Sequence, residues 1–321
     1  MCFQMPWACP VEPHALCWFD LLRSCRETTY DIECRLLTMF IQSYQPHELR
    51  FAFCYRIYIR FRTCALRNLS ALASLDRQTL NVLLESYGLR VLHCATDPTD
   101  VLAILSLTPT ESISGAASKF KGRVSKWLND ALKVSEPKKI LSTGYFACTV
   151  GKARKRHVDK YLDSQATHHG YDRRVLPPVF VQTYESLSQE LALVSPKHAV
   201  VISEFHIVLA TRYRKGIFGS GEGEKVSTEW RRLQVDLRAI LRKVSFLPDH
   251  VHIALTCHPS VAPSQIILAF MNSAQAIMAN EMVRAGVERL WECTVYVGSF
   301  GNLSSPQIRK YIDNWKKNVA K

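Results

Sequence analysis

The sequence has no run of ~18 or more apolar residues, so no membrane-spanning helix is expected. Its opening residues lack a basic start followed by a continuous apolar core, and no secretory signal is expected. No C-x-x-C pair occurs among the 11 cysteines. Five of them (Cys2, Cys9, Cys17, Cys25, Cys34) fall in the opening segment near His14, without the regular spacing of a zinc site. Reduced thiols in a cytoplasmic protein are the expectation. Acidic residues are scarce, with 28 Asp and Glu against 41 Lys and Arg, and the net charge is +13. That excess argues for a polyanionic partner, nucleic acid before an acidic membrane surface. No basic amphipathic helix with a bulky apolar face supports the membrane option.

What the sequence does contain begins with Leu247-Pro248-Asp249-His250-Val251-His252-Ile253-Ala254-Leu255. The segment reads as a strand, and residues two apart on a strand leave the same face. His250 and His252 therefore point together, with a separation suited to gripping one divalent ion. The same pattern also fits two half-exposed polar residues, so its weight depends on the rest of the chain.

An internal repeat supplies that context. Tyr145–Gly151 matches Val295–Gly301, each a β-branched and aromatic strand ending in glycine. The helices that follow carry Lys160-Tyr161-Leu162-Asp163 and Lys310-Tyr311-Ile312-Asp313, and the two tyrosines are 150 residues apart. At the same offset Tyr55–Arg60 matches Phe205–Ala210, and Ser118–Arg123 matches Leu268–Ser273. Asp100–Leu105 matches Asp249–Ala254 after a one-residue shift. The chain therefore divides into an extension (1–48), a first copy (49–175), a linker (176–200) and a second copy (201–321). Leu176-Pro177-Pro178 and Ser195-Pro196 bracket the linker, with a short helix expected over Tyr184–Val194. Alternating strands and helices in each copy predict an α/β sandwich, helices packed on one sheet.

The string Pro248-Asp249-His250-Val251-His252, the Gly301-Asn302 turn and the helix with Lys310-Tyr311-Ile312-Asp313-Asn314 resemble the single-tyrosine HUH transposases. These are the insertion-sequence 200/605-type enzymes and the REP-associated tyrosine transposases. The likeness covers about residues 50–170 and again 200–321. It implies an α+β fold of two tandem ferredoxin-like or RRM-like (βαββαβ-type) domains, their sheets joined as in the family's homodimers. It also implies a Mg²⁺- or Mn²⁺-dependent site acting on single-stranded DNA, with hairpin ends as the expected substrate. The family's tyrosine forms a 5′-phosphotyrosine link and leaves a 3′-OH. In many members the histidines and the tyrosine helix come from different subunits.

The two copies depart from the family's Tyr-x-x-x-Gln pattern in complementary ways. The second keeps His250 and His252 but has Trp315 four residues after Tyr311. The first has Val101 and Ala103 opposite the histidines under the one-residue shift, yet keeps Tyr161 and Gln165. One composite site is implied, with His250, His252 and Gln165 on the metal and Tyr161 as nucleophile. Tyr311, acting in cis, is the alternative nucleophile. A single-chain pseudo-dimer, monomeric or further self-associating, is the expected assembly, found in the cytoplasm and at the nucleoid when bound to DNA. The competing reading is an inactive protein that binds single-stranded or hairpin DNA.

Candidate DNA contacts are Arg56, Arg60 and Arg62 on the first strand and Arg212 and Arg214 on its counterpart. Lys119, Lys121, Arg123 and Lys126 surround Trp127 on a helix, and Arg154, Lys155 and Arg156 precede the Tyr161 helix. Cations beside an aromatic suit a phosphate backbone with an unstacked base. A solvated helix face with Trp127 in the core reads equally well from the sequence.

Overall fold

The computed structural model describes residues 42–64, 75–96, 99–131, 133, 140–151, 155–163, 178–185, 188–302 and 304–319. Gln165, Arg154 and almost all of the 1–48 extension lie outside them. The first copy runs β1 (Arg50–Cys54), β2 (Arg56–Arg62), α1 (Arg77–Leu84), β3 (Arg90–Thr96), β4 (Asp100–Ser106), α2 (Ile113–Ala131), β5 (Phe146–Val150) and α3 (Lys155–Asp163). The joining segment forms β6 (Phe180–Thr183) and α4 (Ser188–Val194). The second copy begins with β7 (Val200–Ile202), β8 (Glu204–Ala210), α5 (Ser220–Arg232) and α6 (Gln234–Leu237). It continues with β9 (Ala239–Leu247), β10 (His250–Cys257), α7 (Pro263–Ile277), α8 (Ala279–Ala285), β11 (Thr294–Phe300) and α9 (Ser305–Val319).

The strands form two sheets, ordered β3-β4-β2-β5-β7 and β1-β11-β8-β10-β9-β6. Each is built on the antiparallel four-strand order of a ferredoxin-like domain, and the fold is the α+β tandem that the sequence predicts. Alternation decides the faces. Phe205, Ile207 and Leu209 of β8 and Val251, Ile253 and Leu255 of β10 are buried toward α5 and α7, where Trp230 stacks on Phe270 at 4.8 Å. His206, His250 and His252 take the intervening positions and so leave the opposite face. In the other sheet Ile57, Ile59, Phe61, Val101, Ala103 and Leu105 face α1 and α2.

Neither sheet belongs wholly to one copy. β1 of the first copy adds in parallel to β11, and β7 of the second adds in parallel to β5. Residues just before β1 follow it: the buried Tyr44 hydroxyl donates to the Trp291 carbonyl (2.9 Å) and accepts from the Trp291 N–H (2.6 Å). The helices after the last strands also cross. α9 buries Ile308 and Ile312 against Tyr58, Leu102 and Ile104 of the first sheet, and His93 meets Asp313 at 2.9 Å. α3 packs Val158 against Ala254 and Phe300 of the second sheet. Paired bonds mark the pseudo-twofold axis: Lys155 N–H donates to Gly301 O (2.8 Å) and Ser305 N–H to Gly151 O (2.9 Å). The described strands form two separate sheets where one joined sheet is expected, and the copies are held together by an exchange of edge strands and terminal helices.

The ladders correct the alignment of the copies. Thr63 bridges Leu141 as Thr211 bridges Trp291, so β2 and β8 correspond at an offset of 148 residues. Thr63 N–H donates to Thr99 O as Thr211 N–H donates to Asp249 O, which sets β4 against β10 at 150. His250 and His252 therefore correspond to Asp100 and Leu102. Val101 and Ala103 point into the helix-covered core, one residue out of phase. The linker helix is also shorter than expected, starting at Ser188, because Phe180–Thr183 pairs with β9 as an edge strand.

Candidate active site on the second sheet

His250 and His252 of β10 face the layer that receives α3, their ring centroids 5.0 Å apart. Each is braced through Nδ1. His250 Nδ1–H donates to Asp249 Oδ1 at 2.6 Å, and Asp249 Oδ2 accepts from Arg214 Nε at 2.8 Å. Tyr213 and Arg214 hold left-handed φ values of 56° and 54°, a strained turn for side chains with a Cβ. His252 Nδ1 lies 3.0 Å from His206 Nε2. Burial pushes the His206 imidazole down to about 4, so it is neutral at pH 7.

Beside the pair opens a cleft of about 660 Å³ lined by His206, His252, Tyr296, Phe300, His157 and Val158. The last two belong to α3, so both copies line it. Gly298 leaves room for the Tyr296 ring to rest across it: a Cβ at that position would stand 2.8 Å from the Tyr296 hydroxyl and push the ring aside. The buried Glu204 carboxylate accepts from Lys155 Nζ of α3 at 2.9 Å and also pairs with Arg242. This ion pair ties the start of α3 to the sheet that carries the histidines. Tyr161 follows Val158 by three residues on α3, less than one helical turn.

Among the described residues, the corresponding face of the first sheet holds no histidine pair. Asp100 receives a two-pronged hydrogen bond from Arg60, at 2.9 and 2.8 Å. Burial works against the Asp100 carboxylate, but the Arg60 contacts outweigh it and hold its pKa below the ordinary value. Leu102 packs against α9, the helix bearing Tyr311.

Among the described residues no three His, Cys, Asp or Glu side chains form a metal cage. The donor chemistry nonetheless fits a divalent ion. Two imidazoles leave one sheet face together, and each has its Nδ1 held by a neighbouring group, the usual bracing of a ligand that coordinates through Nε2. His250 and His252 would supply two ligands. Gln165, expected as the third, lies outside the described residues.

Several expected DNA contacts have protein partners. Lys155 is committed to Glu204 and Arg60 to Asp100. Arg212 pairs with Glu292 at 2.7 Å and Arg214 with Asp249. These last two lie in a turn after β8 (Arg212–Arg214), not on the strand. Lys119 pairs with Glu111, Lys121 donates to Thr143 O, and Arg123 stacks on Tyr87 at 3.9 Å. Lys126 is exposed, while Trp127 packs on the core. Their helix, α2, covers the sheet face opposite α9, away from the exchanged helices. Arg56 and Arg62 share the α9 face of β2, and Arg156 is exposed on α3. The sequence reading passed over His206, Glu204, His157 and Tyr296. Glu204 and His206 carry a legible signal: both occupy the polar phase of β8, alternating with Phe205, Ile207 and Leu209.

Taken together, the fold and this face define a tandem ferredoxin-like protein with a strand-borne histidine pair and terminal helices exchanged between its copies. The profile of the family described as "Transposase IS200 like" matches residues 70–165 and again 199–315. The chain belongs to that transposase family, and the two matches fall one in each copy. A crystal structure of a candidate transposase from Deinococcus radiodurans R1 is similar at 21% identity and a TM-score of 0.31, covering 37% of this chain and 95% of that one. No curated protein matches the chain.

Proposed function

We propose that the protein cuts and rejoins single-stranded DNA at one composite active site, with His250 and His252 from the second copy and Tyr161 and Gln165 from the first. The observation that carries this reading is the packing of α3 on the histidine-bearing face, through Val158 and the Lys155–Glu204 pair. His250 and His252 would hold a Mg²⁺ or Mn²⁺ ion, with Gln165 as a further ligand. Bound there, the ion supplies Lewis acidity to the scissile phosphate. Asp249, itself held by Arg214, keeps the His250 ring in place. The Tyr161 hydroxyl attacks phosphorus in line and loses its proton. The P–O3′ bond breaks, a 5′-phosphotyrosine forms, and a 3′-OH departs that can later reverse the step. Tyr296 and the apolar cleft offer a surface for an unstacked base beside the reacting phosphate.

The test is covalent capture on denaturing gels, with Mn²⁺ and labelled single-stranded DNA from the ends of the protein's own gene. Wild type is expected to form an adduct that His250→Ala and Tyr161→Phe abolish. Tight DNA binding without an adduct in wild type would favour the inactive binding protein instead.

A further inference from the structure

A third histidine stands behind the pair. His206 and His252 have interplanar angle 15°, centroid separation 5.2 Å and an Nε2···Nδ1 distance of 3.0 Å. The centroid separation matches the contact distance plus the two ring radii. The rings are therefore nearly coplanar and meet end to end, and the contact is an in-plane N–H···N hydrogen bond rather than a face-to-face stack. One proton lies between the two nitrogens, and which ring owns it sets the tautomer of both. If His252 donates from Nδ1, its Nε2 carries a lone pair and can ligate. If His206 donates, His252 carries its proton on Nε2 and cannot ligate there.

The repeat inside the chain provides a control. At the offset of 148 fixed by the ladders, His206 corresponds to Tyr58 of the first copy. The first copy thus lacks both ligand histidines, which are Asp100 and Leu102 there, and lacks the third histidine as well. Gly298, directly opposite His206 in the ladder, corresponds to Cys148. Gly298 is what lets the Tyr296 ring lie beside His206, at 5.9 Å and 68°. A histidine kept only to fill space would not be expected to vary together with a ligand pair on the neighbouring strand.

We propose that His206 is a positioning residue for the metal centre: it accepts a hydrogen bond from His252 Nδ1 and so fixes His252 in the tautomer whose Nε2 can ligate a divalent cation. The inference rests on the metal-binding reading given above. His206 does not itself touch the ion. Together with Asp249 on His250, it completes an outer shell in which both ligand rings are held through Nδ1.

Two readouts on the full-length protein test this. Ring ¹⁵N shifts in histidine-labelled, metal-free protein report the His252 tautomer. Electron paramagnetic resonance of unbound Mn²⁺ reports affinity. Wild type is expected to show His252 protonated at Nδ1. His206→Phe, which keeps an apolar ring but no acceptor, is expected to lose that tautomer and to bind Mn²⁺ about 10-fold more weakly, the lower end for outer-shell changes. His206→Gln, whose amide oxygen can accept the same hydrogen bond, is expected to recover most of the affinity. A purely structural role would instead lower the melting temperature of both variants alike and leave the tautomer unchanged. His252 protonated at Nε2 in wild type would overturn the proposal, as would undiminished Mn²⁺ binding by His206→Phe. Mn²⁺ affinity unaffected by His250→Ala and His252→Ala would overturn the metal reading itself, and the proposal with it, even if the hydrogen bond were confirmed.

Discussion

The single residue that best separates the two copies is the one at the position of His250. In the second sheet it is a histidine, and in the first it is an aspartate neutralised by Arg60. The Arg60 guanidinium on Asp100 puts a fixed positive charge on the face that, in the second copy, carries the histidine pair. His206 adds a pH signature. Its folded value of about 4 lies below the unfolded 6.5, because burial disfavours the imidazolium. The unfolded chain therefore binds a proton first, and stability should rise with pH across the window from about 4 to 6.5. Urea titrations through that window should show the slope in wild type and a shallower one in His206→Phe. The histidine pair was legible from the sequence because strand alternation is a two-residue rule. Its counterpart was misplaced for the same reason. A slip of one residue, as between Asp100 and Val101, exchanges the faces of a strand, whereas a slip of two, as between Arg56 and Tyr58 as the counterpart of His206, leaves every face unchanged. Apolar patterning cannot detect the second error, and only the ladders resolve it.

Among the elements, α3 and α9 carry the account. Both are short, charged helices with few apolar positions, and their sequences match at a constant offset, which made their kinship legible. Their crossing was not. Val158, Ile308 and Ile312 announce an apolar stripe without saying which sheet it covers. Nor do β1 and β7, of five and three residues, reveal that their ladder partners lie in the other copy. Ile312 is fully buried among Tyr58, Leu102 and Ile104. Ile312→Ala should cost roughly 2–5 kcal/mol of α9 docking, by lost transfer energy and the cavity left behind. Hydrogen exchange should show faster exchange in α9 and along β3 and β4, with the second sheet's β9 and β10 little affected. Equal acceleration in both sheets would argue that α9 is not docked on the first.

As a whole molecule, the chain is two copies that complete one another. β1 and α3 of the first, with Tyr44 of the extension, cover the edge and face of the second sheet, while β7 and α9 return the arrangement. A fragment of residues 199–321 alone should expose the Trp291 edge and the histidine face, and should fail to give a cooperative melt. Co-expression with residues 1–198 should restore it. The duplication could be read from the sequence, because repeats survive as patterns, whereas the ferredoxin-like order, with β3 and β4 adjacent between two helices, was implied only by the family resemblance. The exchange depends on contacts between residues far apart in the chain, such as Tyr44 with Trp291, for which a linear pattern carries no sign. The central claim is that the histidines of one copy work with the tyrosine of the other. Its most direct test is to digest the trapped protein–DNA adduct and identify the nucleotide-bearing peptide by mass spectrometry. The phosphate is expected on Tyr161. A phosphate on Tyr311 would contradict it and assign the chemistry to a site within the second copy.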